Sequence, residues 1–195
     1  MSEMSFSEDL KELEALFAMC RTGLEQPVRE VAEILISSLQ QGGKLLICGN
    51  GGSAADSQHM AAELVSSFMM GLSRRALPAI ALTTDTSILT AYSNDFDFAD
   101  VFARQVEALG GRRDVLLGIS TSGMSANVLK AVSQARAIGM ATVGLTGRDG
   151  GSLAKIVDAA VVVPSMNTQH IQTVHLAVEH FLCAAIEGAF TEGRL

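Results

Sequence analysis

Apolar residues recur at helical spacing through 7–40 and then change rhythm. Leu10, Leu13 and Phe17, followed by Val28, Val31, Ile34 and Leu35, fall on one face of a helical wheel. Pro27 suits the start of a second helix, and Gly42-Gly43 ends it. Beyond that point five short apolar runs appear, at 44–48, 79–82, 115–119, 141–145 and 159–163. Several are β-branched, and turn or loop residues bound each one. Such runs read as strands buried on both faces. Helical stretches separate them at 54–68, 98–109, 125–138 and 153–157, and a long helix over 168–189 closes the chain. Strands alternating with helices predict a parallel sheet with right-handed crossovers. The pattern therefore gives an α/β fold, a three-layer α-β-α sandwich with a five-stranded parallel sheet and an N-terminal helical arm.

With 195 residues and no linker, repeat or low-complexity tract, one domain over 1–195 is expected. The net charge of −7 argues against nucleic acid or an anionic membrane as the main partner. It leaves an anionic small molecule open, because backbone N–H groups and a helix N-terminus hold phosphate without side-chain cations. The three cysteines, Cys20, Cys48 and Cys183, show no disulfide or metal spacing, which fits a reducing compartment. The N-terminus carries early acidic residues and lacks the basic-then-apolar order of a signal peptide. The apolar runs are too short to span a membrane. A cytoplasmic protein is expected.

Two glycine turns carry the clearest chemistry. In CGNGGSAADSQH, Cys48 to His59, a strand ends in a glycine turn that opens a helix, the position where parallel sheets bind ligands. Asn50 can bond sugar hydroxyls, and Gly51 and Gly52 let backbone approach closely. A dinucleotide-binding fold is the rival. Its G-x-G-x-x-G survives only in degraded form at Gly49 to Ala54, and no acidic residue ends the following strand, so no nucleotide cofactor is expected. In GISTSGMSANV, Ser120, Thr121, Ser122 and Ser125 crowd around Gly123 before a helix. Hydroxyls at a helix N-terminus, with open N–H groups and the positive end of the dipole, suit a phosphate monoester. Capping alone needs one serine.

His59 and Glu63 lie four residues apart, on one helix face. Gln172 and His180 lie about two turns apart on the last helix. Imidazole and carboxylate can ligate a metal or move protons. Spacing does not single out His180, because His170 and His175 share that helix.

Taken together, GNGGSAADSQHMAAEL, TAYSNDFDFADVFARQVEALG, DVLLGISTSGMSANVLKA, GLTGRDGGSLA and VPS…IQTVH resemble the bacterial phosphoheptose isomerases, a family of SIS (sugar isomerase) domains. The resemblance implies a flavodoxin-like strand order. It also implies an aldose–ketose isomerase that converts sedoheptulose 7-phosphate to D-glycero-D-manno-heptose 7-phosphate for heptose biosynthesis, toward lipopolysaccharide precursors. Ser120, Thr121, Ser122 and Ser125 would hold phosphate, and Asn50, Gly51, Gly52, Asn94, Asp95 and Gln172 the sugar. Glu63 and His180 would pass protons through an enediol. His59, Glu63, Gln172 and His180 would form a zinc set. The resemblance further implies a homotetramer with sites between subunits, residues 1–42 serving oligomer packing and 43–195 the sheet and its helices. The alternative is a non-catalytic SIS protein that binds a phosphosugar or a replication-initiator partner; the presence of Glu63 and His180 favours the enzyme.

The family often places Arg where Ser67 and His170 stand, and Asn where Met124 stands. A site facing Ser67 and His170 would be less cationic. Arg74 and Arg75 are then expected to swing in, or the protein to prefer a related sugar phosphate.

Overall fold

A computed structural model of the chain describes residues 5–69 and 74–191. Two helices open it, α1 (Phe6–Gly23) and α2 (Glu25–Gln40). Then come β1 (Leu45–Cys48), α3 (Gly52–Val65), β2 (Ala79–Ala81), α4 (Thr86–Asp95), a 3-10 turn (Phe98–Asp100) and α5 (Val101–Leu109). β3 (Val115–Ser120), α6 (Ala126–Ala137), β4 (Ala141–Gly147), α7 (Leu153–Ile156), β5 (Ala159–Val163) and α8 (Thr168–Phe190) complete it. The five strands are parallel in the order β2-β1-β3-β4-β5. From β1 the chain steps outward to β2, then returns to lay β3 on the other side of β1. That reversal opens a crevice at the carboxyl ends of β1 and β3.

Alternation along each strand divides the core. Leu45, Ile47, Val115, Leu117, Ile119, Val143 and Leu145 face α1, α2, α3 and α8. Leu46, Cys48 and Leu116 face α5 and α6. β1 and β3 are buried throughout, which explains their unbroken apolar runs. The expectation of burial on both faces fails at the edges. β2 leaves Ile80 38% exposed, and β5 alternates buried with half-buried positions, because an edge strand has a neighbour on one side only.

One helix was not expected. α4 fully buries none of its residues; only Leu89 and Tyr92, three apart, pack partly against the core, a stripe too short to read. Its start was legible: Asp85 accepts a 2.9 Å bond from the Ile88 N–H as an N-cap. The three cysteines are unpaired and buried, and burial pushes the Cys48 thiol up to about 12. Among the described residues no helix is long and apolar enough to cross a membrane.

Candidate active site

The crevice between β1 and β3 is framed by the two glycine turns. The β3–α6 turn is sharp at Gly123, which adopts φ +66°, where a Cβ would also strike the Gly150 carbonyl. Ser120 Oγ lies 2.9 Å from Ser125 Oγ across the turn. Ser125 is the N-cap of α6, yet its side chain makes no capping bond. A serine present only to cap would point at the helix. This one points across the loop, beside an α6 N-terminus with its dipole aimed outward. Ser122 Oγ accepts from the Met124 N–H at 3.2 Å.

The β1 turn is bolted to this loop by a reciprocal amide pair. Asn50 Nδ2 donates to Asn127 Oδ1 at 2.9 Å, and Asn127 Nδ2 donates back to Asn50 Oδ1 at 2.8 Å. The sequence pointed to Asn50 but not to Asn127. Both Asn50 amide atoms are engaged, so its visible work is to set the width of the crevice. Gly52 gives Gln172 its place: a Cβ there would overlap the Gln172 amide.

α3 and α8 both start at the carboxyl edge of the sheet and run side by side in the same direction. Polar side chains meet along their seam. His59 Nε2 stands 3.0 Å from His180 Nε2, and the rings meet edge-on at 5.2 Å between centroids. Glu63 Oε1 lies 3.8 Å from His59 Nε2. Farther along, Ser67 Oγ donates to Glu187 Oε1 at 2.9 Å. On the N-terminal side of the histidine pair, fully buried Glu179 has its carboxyl pushed up to about 8, first by burial and then by the charge of Asp56. Burial also raises Asp56, against an opposing pull from His59. His175 Nε2 bonds the Thr146 carbonyl at 3.0 Å, and burial holds its ring below the usual value. That bond holds His175 against the sheet, whereas His180 meets His59 on the seam.

An SIS-domain family model matches residues 10–147. The phosphoheptose isomerase of Syntrophotalea carbinolica is 54% identical over 169 residues, covering 86% of this chain and 85% of the relative. The phosphoheptose isomerase structure from Neisseria gonorrhoeae superposes with a TM-score of 0.88 at 43% identity, covering 93% of this chain and 96% of that one. The Francisella tularensis one gives 0.89 at 38% identity with the same coverage. The chain belongs to the phosphoheptose isomerase family of SIS domains. The family assignment carries the expected α/β sandwich and strand order with it.

For the zinc implied by the resemblance, His59, Glu63, Gln172 and His180 offer nitrogen and oxygen donors, a set compatible with zinc in its chemistry. His59 Nε2 and His180 Nε2 stand 3.0 Å apart, but among the described residues no three His, Cys, Asp or Glu side chains gather around one point.

The positions where the family often has Arg do not present themselves to the crevice. Ser67 is taken by Glu187, and His170, 4% exposed, bonds Asp9 of α1 through Nε2 at 2.8 Å. Nor do the neighbouring arginines swing in. The Arg74 side chain is buried beside Glu187, and Arg75 lies over the Phe190 ring at 5.2 Å. Asn94 and Asp95 sit exposed at the end of α4, where Asn94 Nδ2 bonds Asp95 Oδ1 at 2.8 Å, rather than with the His59–His180 pair.

Proposed function

We infer that this chain is a sugar-phosphate aldose–ketose isomerase that converts sedoheptulose 7-phosphate to D-glycero-D-manno-heptose 7-phosphate in heptose biosynthesis. The observation that carries the chemistry is the meeting of His180, His59 and Glu63 on the α3/α8 seam. The loop of Ser120, Thr121, Ser122 and Ser125 takes the phosphate, with the α6 N-terminus behind it. Anchoring at C7 leaves C1 and C2 to reach the seam.

Isomerisation removes a proton from C1 of the ketose while the C2 carbonyl oxygen gains one. The enediol then loses the O1 proton and gains a proton at C2. Glu63 and His180 divide these transfers. His59 stands within 3.8 Å of Glu63 and 3.0 Å of His180, so it orients both. In the neutral pair one Nε2 carries the proton and the other accepts it. His59, Glu63, Gln172 and His180 would hold zinc, which when bound supplies Lewis-acid polarisation of the substrate oxygens. Asn94 and Asp95 complete the sugar contacts in an assembly that brings them to the crevice.

A homotetramer would provide that arrangement. A groove of about 530 Å³ runs between α1, α2 and α8, lined by Phe17, Leu24, Val28, Ile36, Val178 and Phe181. Apolar grooves of this size on helix faces suit subunit packing. A cytoplasmic location agrees with three unpaired, buried cysteines.

The direct test is incubation with sedoheptulose 7-phosphate, with and without added zinc, following the aldose product by NMR. Product formation is expected. A folded protein that binds the sugar phosphate without turning it over in either condition would return the chain to the non-catalytic SIS proteins. Elemental analysis after purification without chelator tests the metal separately.

A further inference from the structure

The last turn of α3 is gripped by two buried charges that the proton transfers above do not use. Arg74 Nη2 donates to the Glu63 carbonyl at 2.8 Å. Its Nη1 donates to the Leu64 carbonyl at 2.9 Å and to the Arg75 carbonyl at 3.1 Å. Arg74 Nε lies 3.4 Å from Glu187 Oε1 of α8, and the two side chains are 1% and 0% exposed. Glu187 Oε2 accepts the N–H groups of Phe68 at 2.9 Å and Met69 at 3.0 Å, while Oε1 accepts Ser67 Oγ.

The last carbonyls of a helix lack partners within it, and they form the negative end of its dipole. α3 has no basic residue in its last turn and ends at Ser66 rather than at a glycine. Arg74 fills that need from outside the helix, its planar fork reaching two successive carbonyls as a lysine cannot. A guanidinium this deeply buried requires a counter-charge, which Glu187 supplies. The carbonyls held belong to Glu63 and its neighbour. The Phe68 segment held by the same carboxylate places its ring 5.8 Å from that of His180. One ion pair thus fixes the backbone of Glu63 and the packing of His180.

We propose that Arg74 and Glu187 are positioning residues for the isomerisation: their ion pair locks the end of α3 against α8, so that Glu63 and His180 address the same two substrate carbons. The proposal rests on Glu63 being an acid–base group. The test is steady-state kinetics of the full-length, zinc-replete protein on sedoheptulose 7-phosphate, with Glu63→Gln as reference. Arg74→Lys and Glu187→Gln are each expected to lower kcat by about 10–100-fold, the scale of a misplaced catalytic group. KM should stay within about threefold, because phosphate is held on the β3–α6 loop. Arg74→Met with Glu187→Met leaves no unpaired buried charge and keeps the fold measurable even where a single variant fails to fold. It should melt below the parent, because the helix-end carbonyls and the Phe68 and Met69 N–H groups lose their partners, yet stay folded at the assay temperature and still show the kcat loss. Parental kcat in the folded double variant, or a rise in KM alone, with Glu63→Gln inactive, would overturn the clamp while leaving the reading of Glu63 intact. Full activity in Glu63→Gln would remove both.

Discussion

The two helical layers are held to the sheet in different ways. α5 and α6 dock with Val101, Phe102, Val106, Val128, Ala131, Val132 and Ala135. Their buried polar groups are satisfied: Gln105 donates to the Leu82 and Val101 carbonyls at 3.0 and 3.1 Å, and Asn127 is paired with Asn50. α3 and α8 bury Ser53, Ser57, His170, His175, Glu179 and Glu187. On that side Asp56 Oδ2, Arg74 Nε, His175 Nδ1 and both Glu179 carboxyl oxygens have no hydrogen-bond partner among the described residues, against Thr146 Oγ1 beside the start of α6. Each such buried group costs about 1–3 kcal/mol. One layer is held by satisfied apolar packing; the other buries unpartnered ionisable groups at a cost in stability, beneath the solvent-accessible His59 and His180.

The sharpest way to separate the layers is by what a mutation removes. Glu63→Gln or His180→Asn should lower kcat by about 10²–10⁴-fold with little loss of stability, in a steady-state assay paired with urea unfolding. Phe102→Ala, 2% exposed in the opposite layer, should cost about 3–5 kcal/mol of stability and leave the kinetics of the folded fraction unchanged. If the two effects exchanged places, the division of labour would be wrong.

The apolar layer enters the chemistry only through the start of α6. Ser120→Ala with Ser125→Ala removes donors to a charged acceptor, each worth about 1.5–3 kcal/mol. KM for the phosphorylated sugar should rise at least tenfold. An unchanged KM would make the loop a plain helix cap.

A smaller effect should appear in stability against pH. The folded state holds the Glu179 proton to about 8, whereas an ordinary glutamate releases it near 4.5. The unfolded chain binds fewer protons across that window, so stability falls as pH rises through it. Glu179→Leu should therefore add about 1–3 kcal/mol at pH 8 and little at pH 5, in unfolding curves taken with chelator present. His175 acts with the opposite sign. Its lowered value makes its contribution complete above the unfolded value of 6.5 and lost as the pH falls through the folded one. A flat pH profile would mean that the seam is better solvated than its burial indicates.

Elements held by a run or stripe of apolar residues were legible in the chain. The 159–163 run became β5 with the same bounds, and the strand-then-glycine pattern put both turns at the crevice. α4 escaped because it fully buries no residue and offers only Leu89 and Tyr92 to the core. The seam was half legible. Helical spacing placed His59 with Glu63, but the match of α3 to α8 across some 120 positions of sequence is a tertiary fact without local periodicity. The same holds for Asn127 as the partner of Asn50. Arg74 was expected to swing into the site, whereas its burial against Glu187 ties it to the end of α3. His170 looked like a substrate contact, whereas Asp9 had already engaged it.

The central claim is that the α3/α8 seam moves protons between C1 and C2. Isomerisation of sedoheptulose 7-phosphate in heavy water, read by NMR of the aldose product, tests it most directly. Solvent deuterium should enter at C2, and the reaction should collapse in Glu63→Gln and His180→Asn. Complete retention of substrate hydrogen over many turnovers, with those variants still active, would contradict it.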